Sequence, residues 1–223
     1  MSRRSLAKIR KSEFAEAAYL SLSKHGLQGT TLQTVADIAG VSKASVLHYF
    51  KSKDALLESA LRQANTVLLN EAVTLLKIAQ TPWERVYAVL QANFSPVSFT
   101  PKVAHGWVAM CSEVPHDQRY QRIQNVIYRR NWTNLHSALS RIISADRAEV
   151  TTHMIISLID GLWIRCSLRP DGVSREFALG QFEQLFESSF AGDDQRLLAR
   201  DRMENVSAIL LAGAASVPGK PRL

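Results

Sequence analysis

The sequence predicts an all-α protein, and three observations carry that reading. Apolar residues recur at the helical period along nearly the whole chain, without a convincing alternating strand. Serine, threonine or aspartate stands where most periodic segments begin, and glycine where the early ones end. A chain of 223 residues with 46% hydrophobic content can bury a core, and it holds no internal repeat and no dominant low-complexity tract.

The elements follow in order. From about Lys8 to His25, Phe14, Ala18, Ser21 and Leu22 form one stripe, and Gly26 supplies a stop. Thr30 and Gln33 have capping-box spacing and open a short helix through Val35, Ala36 and Ala39, which Gly40 closes. Ser42 can cap a third short helix that ends at Phe50. Ser52 can cap a long helix running to about Gln80, with Leu56, Leu57, Ala60, Leu61, Ala64 and Leu68 inward.

Thr81-Pro82-Trp83-Glu84 combines a cap, a proline at the first helical position and a glutamate two residues further in, so a new helix starts there. "SPVSFTP" (95–101) is an irregular link. Helices are expected near 102–113, 116–143 and 146–168, then a turn at 169–174. A further helix, 175–190, carries Phe177, Phe182, Leu185 and Phe186. The chain thus divides into an N-terminal three-helix domain with a helix-turn-helix (1–52), a larger helical domain (53–190) and a tail (191–223). The middle of that tail can be helical, and its end, "SVPGKPRL", reads as disordered.

Charge separates the two ends. The formal net charge is +7 and the pI about 9.6. Within residues 1–60, nine Lys and Arg face five Asp and Glu, so this quarter of the chain carries +4 of the excess. A basic N-terminal domain favours a polyanionic partner. Cys111 and Cys166 match no metal or redox spacing, and no apolar segment follows the basic N-terminus as in a secretory signal. The run Met154–Leu168 is too short and too interrupted to span a bilayer. The expectation is a cytoplasmic protein with no membrane partner. The six histidines show no zinc-protease spacing, and there is no nucleophile elbow or phosphate loop, so neither an enzyme nor a cofactor is expected.

The stretch "GVSKASVLHYFKSK" (40–53) suggests the partner. Val41, Val46 and Phe50 can seat the third helix on its neighbours, leaving Lys43, Ala44, Ser45, Leu47, His48 and Tyr49 at or near the surface. Small residues permit close approach to a groove floor, and the others bond base edges or phosphates. Lys53 and the opening amides of the long helix add a second phosphate-attracting point.

The run "TTLQTVADIAGVSKASVLHYFKSKDALLE" (30–58), with "FAEAAYLSLSKHG" (14–26) before it, closely resembles the DNA-binding domain of TetR-type transcriptional regulators. That resemblance implies base-facing roles for Lys43, Ala44, Ser45 and His48, and phosphate contacts for Thr31, Tyr49 and Lys53, with the cap Ser42 in the same DNA-facing set. It also implies a homodimer on a double-stranded, pseudo-palindromic operator, with a small effector bound in the second domain. "NF" (93–94), "GW" (106–107), "RRNWTNL" (129–135) and "LIDGLWIR" (158–165) resemble the BetI-type branch, choline-responsive repressors. The chain departs from that branch's pattern at Ser95, where an acid is expected, and at Met110-Cys111, near a second aromatic.

A quaternary ammonium is held by aromatic faces with a carboxylate nearby. Asp160 and Trp163 share a face of one helix, and Phe94, Trp107, Tyr128 and Trp132 are candidate further walls for choline, another amine or an amphiphile. The same aromatic residues at helical spacing also suit a plain core, and Asp160 could instead pair with Arg165 or another base. The alternatives are a TetR-type regulator of an unrelated small-molecule metabolism or efflux operon, a DNA-binding protein without an effector and, more remotely, an all-helical enzyme.

Overall fold

The computed structural model describes residues 3–215, and every regular element among them is a helix. In order these are α1 (Arg3–Gly29), α2 (Leu32–Ala39), α3 (Lys43–Tyr49), α4 (Lys53–Ile78), α5 (Pro82–Asn93), α6 (Pro101–Cys111), α7 (Gln118–Leu139), α8 (Ala145–Leu168), α9 (Arg175–Ser189) and α10 (Asp194–Ala215).

Local chemistry sets most boundaries. Gly26 interrupts α1 with φ 66°, so the expected stop is a kink followed by one more turn. The capping box of α2 lies one residue beyond the expected pair: Thr31 accepts from the Thr34 amide, and the Thr34 hydroxyl accepts from the Thr31 N–H at 2.8 Å. Thr30 is buried instead, its hydroxyl donating to the Gly26 carbonyl at 2.8 Å. Gly40 turns the chain at φ 66°, a conformation that a β-carbon disfavours, and α3 starts from the Ser42 cap. Thr81, Thr100 and Ser174 cap α5, α6 and α9 in the same way.

α1, α2 and α3 form the small N-terminal bundle around Phe14, Ala18, Leu22, Val35, Val46 and Phe50. α4 leaves this bundle and continues along the body, packing on α1 at one end and on α5 and α7 further along. α5 is the hub of the body, buried at nearly every position from Trp83 to Asn93. Its polar groups are satisfied by distant segments: Trp83 Nε1 donates to Asp193, in the turn before α10, at 2.8 Å and the Tyr87 hydroxyl donates to Glu183 of α9 at 2.8 Å.

The segment after residue 190 contributes a full helix to the body. α10 packs across α5, burying Arg196, Ala199 and Met203. Arg196 is 2% exposed and bonds Glu183 at 2.6 Å, Glu187 at 2.7 Å and the Tyr87 hydroxyl at 3.2 Å. Arg202 pairs with the buried Glu84 of α5. The expected disorder of "SVPGKPRL" concerns residues 216–223, which lie outside the described residues.

Removing the buried guanidinium leaves Glu183 only its longer pair to Arg200, at 3.5 Å, and empties the space between α5, α9 and α10. Arg196→Ala is expected to lower unfolding free energy by about 2–3 kcal/mol in urea melts, less than a fully buried pair because Glu187 is exposed. A loss below ~1 kcal/mol would mean α10 is dispensable to the body.

Candidate nucleic-acid interface and effector cavity

In α3 the sequence separates an inner seam from an outer face. Val46 is fully buried and Phe50 nearly so, while Lys43, Ala44, Leu47 and His48 are exposed and Ser45 and Tyr49 half-buried. Ser42 spends its hydroxyl oxygen as a cap, accepting from the Ser45 amide at 3.2 Å. Tyr49 packs edge-on against Phe14 and His48, with ring centroids 5.5 and 5.0 Å away. Thr31 is exposed at the start of α2. Lys53 is half-buried and gives one N–H to the Leu27 carbonyl at 2.7 Å, so it braces α4 against the end of α1. Thr31, Ser42, Lys43, Ala44, Ser45, His48, Tyr49 and Lys53 all belong to α2, α3, their caps or the first turn of α4.

A narrow cavity of roughly 50 Å³, partly open to solvent, lies where α4, α5, α6, α7 and α8 converge, and α1 closes one side of it. Of the six residues expected to bind an effector, Trp107, Asp160 and Trp163 line it. Trp107 and Trp163 meet edge-on with centroids 6.0 Å apart. Asp160 has no hydrogen-bond or ion-pair partner among the described residues, Arg165 included, and burial raises its pKa to about 6. The same carboxylate, after burial itself, helps push the neighbouring Cys111 thiol up to about 12, so that thiol stays protonated near neutral pH.

Phe94, Tyr128 and Trp132 do not line the cavity. Phe94 is wholly buried between Phe99 and Phe182, behind the cavity wall. Tyr128 is exposed, 3.4 Å from His153, and Trp132 stacks flat on His136. Both miss because α7 turns about 100° per residue: Ile123, Ile127, Arg130 and Asn131 face inward, and their neighbours in sequence do not. Helical spacing from Ile123 and Ile127 would have pointed to Arg130-Asn131 within "RRNWTNL". Asn65 and Asn93 complete the polar lining. Ser95, where the branch pattern has an acid, donates to the Glu71 carboxylate of α4 at 3.0 Å, so an acid does reach this spot from another helix.

Tyr19 had no sequence signal because it belongs to α1, yet it lines the cavity. Its hydroxyl donates to the Val103 carbonyl of α6 at 2.7 Å. Its ring lies over Gly106, where an added β-carbon would stand 2.6 Å from Tyr19 Cζ. Near the other end of the same junction, Arg119 of α7 pairs with Asp54 of α4 at 3.2 Å.

An exposed, donor-rich second helix of a helix-turn-helix, joined to a hollow helical body, defines a DNA-binding regulator. Comparison with known proteins agrees. Residues 15–60 match the model of bacterial regulatory proteins of the tetR family, and residues 82–191 match that of the C-terminal domain of BetI-type transcriptional repressors. The HTH-type transcriptional regulator BetI of Vibrio parahaemolyticus is 33% identical over 175 residues, covering 78% of this chain and 88% of that protein. BetI of Burkholderia cenocepacia is 32% identical over 190 residues, covering 84% and 97%. The chain belongs to the tetR family of bacterial transcriptional regulators, on its BetI-type branch. The fold is shared with a Saccharomonospora viridis regulator solved in complex with choline, at 18% identity and TM-score 0.70 over 81% of this chain and 96% of that one. It is also shared with AibR, solved with isovaleryl coenzyme A and operator DNA, at 19% identity and TM-score 0.61 over 79% and 98%.

The raised pKa of Asp160 fixes the sign of one prediction. The folded chain holds that proton more tightly than the unfolded one, so ionisation costs stability fully above about pH 6 and not at all below the ordinary carboxylate value of 3.8. Asp160→Asn is expected to stabilise the protein by about 1–2 kcal/mol at pH 7.5, allowing for solvent at the cavity mouth. The gain shrinks between pH 6 and pH 4. Melts of both proteins across that range check it, and a gain independent of pH would refute the burial argument.

Proposed function

We propose that this regulator is an effector-controlled repressor that binds a pseudo-palindromic operator as a homodimer, and that its effector is choline or a related amine. Tyr19 is the observation that carries the sensing half of this reading. One residue belongs both to the DNA-binding bundle and to the cavity wall, so a molecule in the cavity touches the DNA-binding domain directly. The other shared element is α4, whose Leu61, Ala64, Asn65 and Leu68 line the cavity while its first turn follows α3 in the chain and is tied to the end of α1 through Lys53. An effector that fits better when α1 and α4 are displaced shifts the population towards that state, and only by its difference in affinity. No catalytic step is assigned to the cavity.

The dimer reading rests on α8. Its inner side supplies Ile159, Asp160 and Trp163 to the cavity, and Ile156 is buried within its own chain. Its outer side exposes Val150, Met154, Ile164 and Leu168 at helical spacing, with Gly161 between them, and Phe177 of α9 is exposed as well. An apolar stripe of this length on a regulator needs a cover, and a second copy supplies it. Two α3 helices held about one DNA turn apart then enter successive major grooves. Action in the cytoplasm follows from a chromosomal target.

Fluorescence polarisation on DNA from upstream of its own gene, with and without choline, tests the proposal. Salt-sensitive binding that choline weakens is the expected outcome, whereas tight binding indifferent to choline and other amines would overturn the effector assignment. Lys43→Ala is expected to weaken operator binding and, by removing one positive charge from the interface, to lower the slope of log K against log salt by about 1. Unchanged affinity together with an unchanged slope would take the start of α3 off the DNA. Trp163→Ala is expected to blunt the choline response while leaving DNA affinity near that of the wild type.

A further inference from the structure

Asp160 and the two tryptophans account for a cation, but the cavity also holds a cation of its own. Arg130 of α7 lines it and has no carboxylate within ion-pairing distance among the described residues. Among the described residues its one side-chain bond is from Nη1 to the amide oxygen of Asn65, at 3.1 Å, and its Nε is sealed from solvent without a partner. Burial lowers its pKa, yet a guanidinium keeps its proton at any physiological pH. A shielded guanidinium that meets only a neutral amide is held at a cost that an anion relieves.

The two charges are carried on different walls and are not paired with each other. Arg130 and Asn65 belong to α7 and α4, and Asp160 and Trp107 to α8 and α6. Arg130 and Asp160 form no ion pair, so each remains available. Leu61, Ile123, Ile127 and Ile159 give the cavity an apolar lining as well. A simple amine satisfies Asp160 and leaves Arg130 as it was. A fatty acid does the reverse.

Resting on the effector reading above, the geometry points to a zwitterion as the effector: a carboxylate held by Arg130 with Asn65, joined by a short apolar chain to an ammonium group held by Asp160 beside Trp107 and Trp163. Guanidinium binds carboxylate through two parallel N–H bonds, and Arg130 has the free donors for it. The aromatic faces take an alkylated ammonium in preference to a strongly hydrated one.

Calorimetric titration of the full-length protein with choline, glycine betaine, 4-(trimethylammonio)butanoate and butanoate tests this, because the first three share one head group. At least one of the two trimethylammonio carboxylates is expected to bind about tenfold or more tightly than choline. Arg130→Gln is expected to erase that advantage while leaving choline within about threefold of its wild-type affinity, and Arg130→Lys to keep part of it. Thermal melts confirm that each variant folds.

Choline binding as tightly as both carboxylates would overturn the zwitterion and leave the amine reading standing. So would an Arg130→Gln variant that loses choline and the carboxylates equally. Butanoate matching the trimethylammonio carboxylates would overturn the zwitterion and also remove the ammonium from the effector. Binding by none of the four would overturn both readings, with operator binding judged separately by polarisation.

Discussion

The contact between Tyr19 and α6 is the constraint on which the regulator's economy of parts depends. A phenol from the first helix of the DNA-binding bundle donates to the Val103 carbonyl and lies over Gly106 without room for a single added carbon. Both features demand that α1 and α6 keep a fixed separation. The hydroxyl is shielded from water, so losing its acceptor costs more than the bond gains, and the tyrosine behaves as a latch. Val103 and Trp107, on either side of Gly106, line the cavity. Any molecule that shifts α6 by a fraction of an ångström therefore acts on a contact that has no slack.

Rigidity elsewhere makes that latch informative. α5 is buried along its length and tied by side-chain bonds to α9 and to the turn before α10, while α10 adds the Arg196 cluster from outside. These ties fix the far side of the body. The near side has polar ties of its own: Tyr19 to Val103, Arg119 to Asp54, Lys53 to the Leu27 carbonyl at 2.7 Å, and Ser12 of α1 to Gln63 of α4 at 3.1 Å. A shift of α4 or α6 is passed to the DNA-binding bundle through these contacts. The departure at Ser95 fits the same scheme, since Glu71 brings a carboxylate from α4 itself.

Much of the fold was legible because its signals are local. Caps at Ser42, Ser52 and Thr81 and the positive-φ glycine at position 40 are read within a few residues, and the helix boundaries fell within a few residues of expectation. The capping box slipped by one because Thr30 and Thr31 are equally good candidates in sequence, and burial of Thr30 beneath Ser21 decides between them. The cavity was half legible. Trp107, Asp160 and Trp163 stand out as aromatic and acidic residues in apolar helices. Tyr19, Asn65 and Arg130 come from three helices far apart in sequence, and only tertiary packing brings them together. α10 was undervalued because its inward face is thin, resting on a buried arginine that composition marks as surface.

α8 gives the last step. It is a wall of the cavity on one side and, on the other, the apolar stripe assigned to the partner copy. A helix held by a second subunit along its outer face cannot easily yield to a ligand on its inner face. Of the walls, α8 is then the anchored one, and α4 and α6 are those free to respond. α4 runs straight into the DNA-binding bundle and α6 is latched to α1, so both responses converge on the same three helices. In the proposed dimer, the arrangement ties the distance between the two recognition helices to the volume of whatever fills the cavity. A ligand in that cavity need not reach the proposed interface to change how the two helices meet DNA.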